Sequence, residues 1–257
     1  MLWAASLAGC SSPPGTSSSG GPPDQSQAAS STQGGSQPDT NVQTQADARP
    51  DAWYEPEIRA FEAADRAHPP VPGRVLFVGS SSIRMWTTLE RDMRPAPVVA
   101  RGFGGSKTSE VMEVFDRIVT PQEPSVIVYY CGDNDLGTDN HDSDAAAAGF
   151  IEFDRRARAL WPGVQVLYIA IKPSLARWSN WDAMRRANTI VANYCAKTDG
   201  AMFLDIATPM LGKDGRPRPE LFEADGLHLN AEGYALWTTV VRRAVLRAWN
   251  GGRRGEQ

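Results

Sequence analysis

Five short apolar runs, each continuous rather than alternating, most strongly limit how this chain can fold. They are RVLFVG (74–79), APVVARG (96–102), SVIVYYC (125–131), VQVLYIAI (164–171) and AMFLDI (201–206). A strand with one wet face alternates apolar and polar residues, whereas a strand covered on both faces does not. These runs are rich in Val, Ile and aromatics, so they read as strands buried on both sides. Helical patterns lie between them. Val111, Phe115, Ile118 and Val119 share one face of a helix after GGSKTS, and Phe150, Phe153, Ala157 and Leu160 do so before WPG. Asn230 reads as the N-cap of a last helix with Trp237, Val240, Val241, Ala244 and Ala248 on one side. Strand–helix alternation at this spacing predicts a five-stranded parallel sheet covered by helices and wound right-handed. In such sheets the working residues gather at the carboxyl ends of the strands. The positions to inspect therefore follow residues 79, 101, 131, 171 and 206.

Composition divides the 257 residues. Residues 11–50 are mostly Ser, Gly, Gln, Pro, Thr and Ala, with Val42 the one large aliphatic and no aromatic, too little apolar surface to offset the entropy of ordering them. This stretch reads as a flexible tether ahead of one domain over 51–250, with a short tail at 251–257. The first ten residues, MLWAASLAGC, are too short to span a membrane but long enough for a signal h-region. Leu7-Ala8-Gly9-Cys10 resembles the bacterial lipobox, which is cut before a cysteine that is then lipidated. No Lys or Arg precedes Arg49, so the expectation includes a true start upstream of the first residue given. A lipid on Cys10 followed by a tether implies an extracytoplasmic envelope lipoprotein, bound to the membrane through that lipid alone. The net charge is -4 and no basic block precedes the tail, which argues against a nucleic-acid partner. Cys131 and Cys195 lie in a strand and a helix pattern and are expected to be buried free thiols rather than a disulfide.

Each strand end carries something chemical. After the first comes Gly79-Ser80-Ser81-Ser82, where a serine can either cap the next helix or attack a carbonyl while its own N–H helps to hold the oxyanion. After the second comes RGFGGSKTS. Ser106 separates Gly105 from Lys107, so it is not a P-loop, and no glycine stands where a dinucleotide fingerprint needs one. Glycines there suit a backbone N–H that must approach a reacting group closely. After the third comes CGDNDLG, in which Asn134 offers an amide donor. The Asp-rich continuation to Asp144 faintly suggests a calcium loop, but its glycine is out of register, and no metal is expected. His68 precedes two prolines and His141 lies in a polar loop, which leaves His228, three residues after Asp225, as the candidate base. A surface His beside a capping Asp is the plain alternative for that pair.

Taken together, these blocks resemble those of the SGNH (GDSL-type) hydrolase superfamily over about residues 55–249. GSSSIRMW is similar to a bacterial branch that uses Gly-Ser-Ser-Ser, with Ser80 standing where Asp is usual and Ser81 at the nucleophile. Gly105 matches the oxyanion glycine, Gly132-Asp133-Asn134-Asp135 matches the Gly-x-Asn-Asp block, and Asp225 with His228 matches Asp-x-x-His. The resemblance implies a flavodoxin-like three-layer α/β/α sandwich and a serine esterase that needs no cofactor. Ser81 would be the nucleophile, His228 the base, Asp225 the acid, and Ser81, Gly105 and Asn134 the oxyanion donors. The substrate would be a small-molecule or glycan ester. Trp178 and Trp181 lie near the expected opening, where they either stack on a sugar or simply pack a helix. Two alternatives stay open: an O-acyltransferase acting on an envelope glycan, and a catalytically inactive carbohydrate-binding lipoprotein.

Overall fold

Val75–Gly79 (β1), Val98–Gly102 (β2), Val126–Tyr130 (β3), Gln165–Ile169 (β4) and Ala201–Leu204 (β5) pair in parallel throughout, in the order β2-β1-β3-β4-β5. The structure is a computed structural model, and it describes residues 52–137 and 141–254. Cys10, the expected tether and the last three residues of the tail lie outside that range. The helices are Glu55–Ala67 (α1), Ser81–Arg84 (α2), Leu89–Asp92 (α3), Thr108–Glu113 (α4), Phe115–Ile118 (α5), Ser143–Leu160 (α6), Trp181–Cys195 (α7) and Ala231–Arg254 (α8).

Successive strand residues point to opposite faces, so each strand feeds two cores. Leu76, Val78, Ile127, Tyr129, Val166 and Tyr168 pack with side chains of α1 and α4 to α7. Val75, Phe77, Val128, Tyr130, Leu167 and Ile169 pack with α2, α3 and α8 around Trp86 and Trp237. This is the three-layer α/β/α sandwich expected. Both central strands are buried along their whole length, and each large apolar side chain so buried contributes about 1.5–3 kcal/mol.

Two strands end two residues short of their apolar runs and one expected helix is broken, each for a local reason. The fourth run ends early because the N–H and C=O of Ile171 turn to the side chain of Asn188, at 2.8 Å each. The fifth stops at Leu204 because Asp205 caps the next turn, accepting from the N–H of Thr208 at 2.9 Å and from its hydroxyl at 2.6 Å. The single helix expected after GGSKTS is two, α4 and α5, broken at Val114 where ψ opens to 8°. Val111, Phe115, Ile118 and Val119 are all buried nonetheless. Asn230 does cap α8, its Oδ1 accepting from the N–H groups of Glu232 and Gly233 at 3.0 and 3.1 Å. Cys131 and Cys195 are both buried free thiols.

The strand order places the site. The chain runs outward from β1 to β2 and then returns to β3 on the other side of β1. A crevice opens at such a reversal, outside the carboxyl ends of the strands. Ser81 follows β1 and Asn134 follows β3.

Candidate active site

At the end of β1, Gly79 adopts φ 139°, a conformation that side chains rarely allow. A Cβ there would lie 1.9 Å from the carbonyl oxygen of Tyr130. Only glycine lets the chain pass this close and turn. Ser80 is extended and buried, and its carbonyl accepts from the N–H groups of Ile83 and Arg84, which starts α2. Its side chain makes no capping bond. Ser82 is buried too, and its carbonyl accepts from the Tyr234 hydroxyl at 2.9 Å. Ser81, the first residue of α2, is the half-buried member of the three, and its Oγ lies 3.1 Å from Nε2 of His228.

His228 is held by a tight turn at the start of the approach to α8. Oδ2 of Asp225 lies 2.6 Å from Nδ1 of His228. Oδ1 of the same carboxylate accepts the N–H groups of Leu227 and His228, at 2.8 and 2.9 Å. The Leu227 N–H leads the effects that lower the Asp225 carboxyl to about 2, joined against burial by the His228 ring and its N–H. Asp225 is therefore ionised and can only accept. That fixes the imidazole proton on Nδ1 and leaves the lone pair of Nε2 facing the Ser81 hydroxyl. His68 ends α1, and His141 lies exposed before α6.

Gly105, at the end of β2, has φ 68°, and a Cβ on it would press on the ring of Trp53 at 3.2 Å. Among the described residues neither its N–H nor that of Ser81 donates to another group. Asn134 is tied to the same loop, its Nδ2 donating to the carbonyl of the neighbouring Ser106 at 3.0 Å. Cys131 Sγ donates to that carbonyl as well, at 3.2 Å. The next residue, Asp135, points elsewhere and caps α4, accepting from the Thr108 hydroxyl at 2.6 Å and the Thr108 N–H at 3.1 Å. Thus Ser81, Gly105 and Asn134 stand at the ends of three adjacent strands, with Asp225 and His228 closing on Ser81.

The GDSL-like lipase/acylhydrolase family matches residues 78–236, more than half of the chain and all of these side chains. This chain belongs to that family. No curated protein matches it. Among solved structures it resembles a GDSL-like lipase from Bacteroides thetaiotaomicron at 21% identity and a TM-score of 0.63, covering 74% of this chain and 98% of the other. It is also similar to the lipase/acylhydrolase from Enterococcus faecalis, at 17% identity and a TM-score of 0.53, covering 67% and 95%. A catalytic mutant of an acetylxylan esterase from Geobacillus stearothermophilus has 14% identity and a TM-score of 0.54, with 70% and 95% covered. At these identities the likeness shows the shared fold.

Family membership and sequence pattern both miss a buried charged group behind Asn134. Asp133 Oδ2 pairs with Lys172 Nζ and accepts from the Tyr130 phenol at 3.1 Å, while Oδ1 accepts from Arg177 Nη1 at 2.6 Å. Burial would raise the Asp133 carboxyl, but the two cations overcome it and hold it below the usual range. Lys172 and Arg177 both lie in KPSLAR, just past the end of β4. Two cations at a strand end were the available signal, masked by the neighbouring tryptophans. Those tryptophans stack on each other, with centroids 6.1 Å apart and planes 17° apart, and the Arg216 guanidinium lies over Trp178 at 5.4 Å. Trp178 also lines a cavity of about 740 Å³ with Leu175, Arg216 and Arg218.

Proposed function

We propose that this acylhydrolase-family protein is a serine esterase that works through an acyl-enzyme. The observation that carries the reading is the continuous line from Asp225 to Nδ1 of His228 at 2.6 Å and from Nε2 to Ser81 Oγ at 3.1 Å. Ser81 Oγ attacks the ester carbonyl and its proton passes to Nε2. Asp225 stabilises the imidazolium that forms. The N–H groups of Ser81 and Gly105 and the Asn134 amide hold the oxyanion. On collapse the C–O bond to the alcohol breaks, and the alcohol leaves with the proton from His228. Water then gives a proton to His228 and attacks the acyl carbon, which releases the carboxylic acid and restores Ser81.

The substrate we favour is a short acyl ester on a carbohydrate or another small alcohol. Supporting this is the acetylxylan esterase among the structural neighbours. We further propose that Cys10 carries a lipid and holds the domain outside the cytoplasm. Replacing it by Ser should move the protein from the membrane to the soluble fraction, and a wild type already soluble in a lipidating bacterium would refute the tether. For the catalytic reading, the soluble domain is assayed on p-nitrophenyl acetate before and after a serine-reactive phosphonate. Hydrolysis that the phosphonate abolishes is expected. A protein that neither turns over the ester nor takes up the phosphonate is not a serine esterase.

A further inference from the structure

Arg177 stands at the end of the loop that leaves β4, and its guanidinium spans the Asp133–Asn134 corner. Nη1 donates to the Asp133 carbonyl at 2.8 Å and to its Oδ1 at 2.6 Å, while Nη2 donates to Oδ1 of Asn134 at 3.0 Å. The two ends of an amide side chain have nearly the same shape, so shape alone does not decide which one faces the substrate. A guanidinium only donates, so it takes the oxygen end and turns Nδ2 the other way. Of the two hydrogens on Nδ2, the Ser106 carbonyl takes one at 3.0 Å. The second is left for an oxyanion. Withdrawing electron density through Oδ1 makes that remaining N–H a better donor.

The brace is itself held. Asp133 and Lys172 are buried as a pair, with Tyr130 bonded to both. With Arg177 the group has two cations to one carboxylate, an excess of positive charge behind the amide. Donors fixed before the reaction cost no reorganisation when charge develops.

Building on the serine-esterase reading above, we infer that Arg177 is a positioning residue for acyl transfer, fixing the Asn134 amide so that one N–H faces the oxyanion with a positive charge behind the amide. The same loop also supports the acid–base turn, since the Ala176 N–H donates to the Gly226 carbonyl at 3.0 Å. A useful test must separate orientation of the amide from support of the loop. Arg177→Met leaves Asp133 paired with Lys172 and Tyr130, so the buried carboxylate keeps partners.

The experiment is a double-mutant cycle on p-nitrophenyl acetate hydrolysis with wild type, Arg177→Met, Asn134→Ala and the double variant. Loss of the donor itself costs about 100- to 1,000-fold in kcat, and loss of its orientation should cost about tenfold with KM nearly unchanged. In the Asn134→Ala background Arg177→Met should cost nothing more, because no amide remains to orient. An unchanged kcat in Arg177→Met, a change in KM alone, or an equal loss in both backgrounds overturns the inference. Equal losses would mean that Arg177 supports the loop. If Arg177→Met does not fold, Arg177→Lys runs the same cycle, because one ammonium cannot bridge both residues. Failure of the esterase reading would show differently, as a wild type with no hydrolysis and no phosphonate labelling.

Discussion

Asp225 and His228 are three residues apart and share one turn, whereas Gly105 and Asn134 come from the ends of two strands that are separated by β1. The acid–base turn is exposed, with the Asp225 side chain at 48% and His228 at 25%, and it is ordered mainly by backbone N–H groups bonded to one carboxylate. The proposed oxyanion side is ordered by buried charge, with Lys172 at 1% and Asp133 at 5%. Proximity in sequence brings the proposed acid–base pair together at little structural cost. Assembly from distant strand ends needs an interior scaffold, and a buried ion pair supplies rigidity at the expense of desolvation. The two halves should therefore fail differently, one in chemistry and the other in both folding and chemistry.

The largest effect tests the local half. His228→Ala should lower kcat by at least about 1,000-fold, because the serine loses its base, while the thermal midpoint stays near that of wild type. Steady-state kinetics with a melting curve checks both parts. A large fall in stability would mean that the acid–base turn is also part of the scaffold.

On the other half the order reverses. Lys172→Met should destabilise the fold by roughly 3 kcal/mol, the low end for a broken buried pair because Arg177 still faces the carboxylate. The exposed pair of Arg218 with Glu220 provides a control, since Arg218→Met should cost less than about 1 kcal/mol. Urea unfolding measures both. If the two cost the same, the buried group is no scaffold and the contrast between the halves collapses.

The smallest effect is in acid. The Asp225 carboxyl is lowered to about 2 in the fold, so protons prefer the unfolded chain. Its contribution to stability is therefore fully present above the ordinary carboxylate range near about 4, and is lost as pH falls through about 2. Because the group is half exposed, the loss should be small. Urea unfolding of wild type and of Asp225→Asn at neutral and acid pH measures it: the two should differ slightly above about pH 4 and converge as pH falls toward about 2. A difference that persists unchanged in acid would mean that the Asp225 carboxylate does not contribute to stability.

These contrasts also explain what was legible in the sequence. The sheet could be read because continuous apolar runs are a direct consequence of burial on both faces. The turn of Asp225 and His228 could be read because spacing of three fixes the geometry locally. Where strands ended was harder, since Asn188 and Asp205 capture backbone groups by long- and short-range bonds that no periodicity records. Lys172 and Arg177 were illegible as a brace because their partner Asp133 lies on another strand end some 40 residues away. Charged residues in a loop look solvated until the fold closes over them.

Ser81 is the one serine of the three that faces His228, with Ser80 and Ser82 buried on either side. The direct measurement is fluorophosphonate labelling of wild type and of Ser80→Ala, Ser81→Ala and Ser82→Ala, followed by peptide mapping. Label should be lost in Ser81→Ala alone, and in the other proteins the modified peptide should carry it on Ser81. Labelling that survives in Ser81→Ala and vanishes in either neighbouring variant would contradict the assignment and, with it, the proton path from Ser81 through His228 to Asp225.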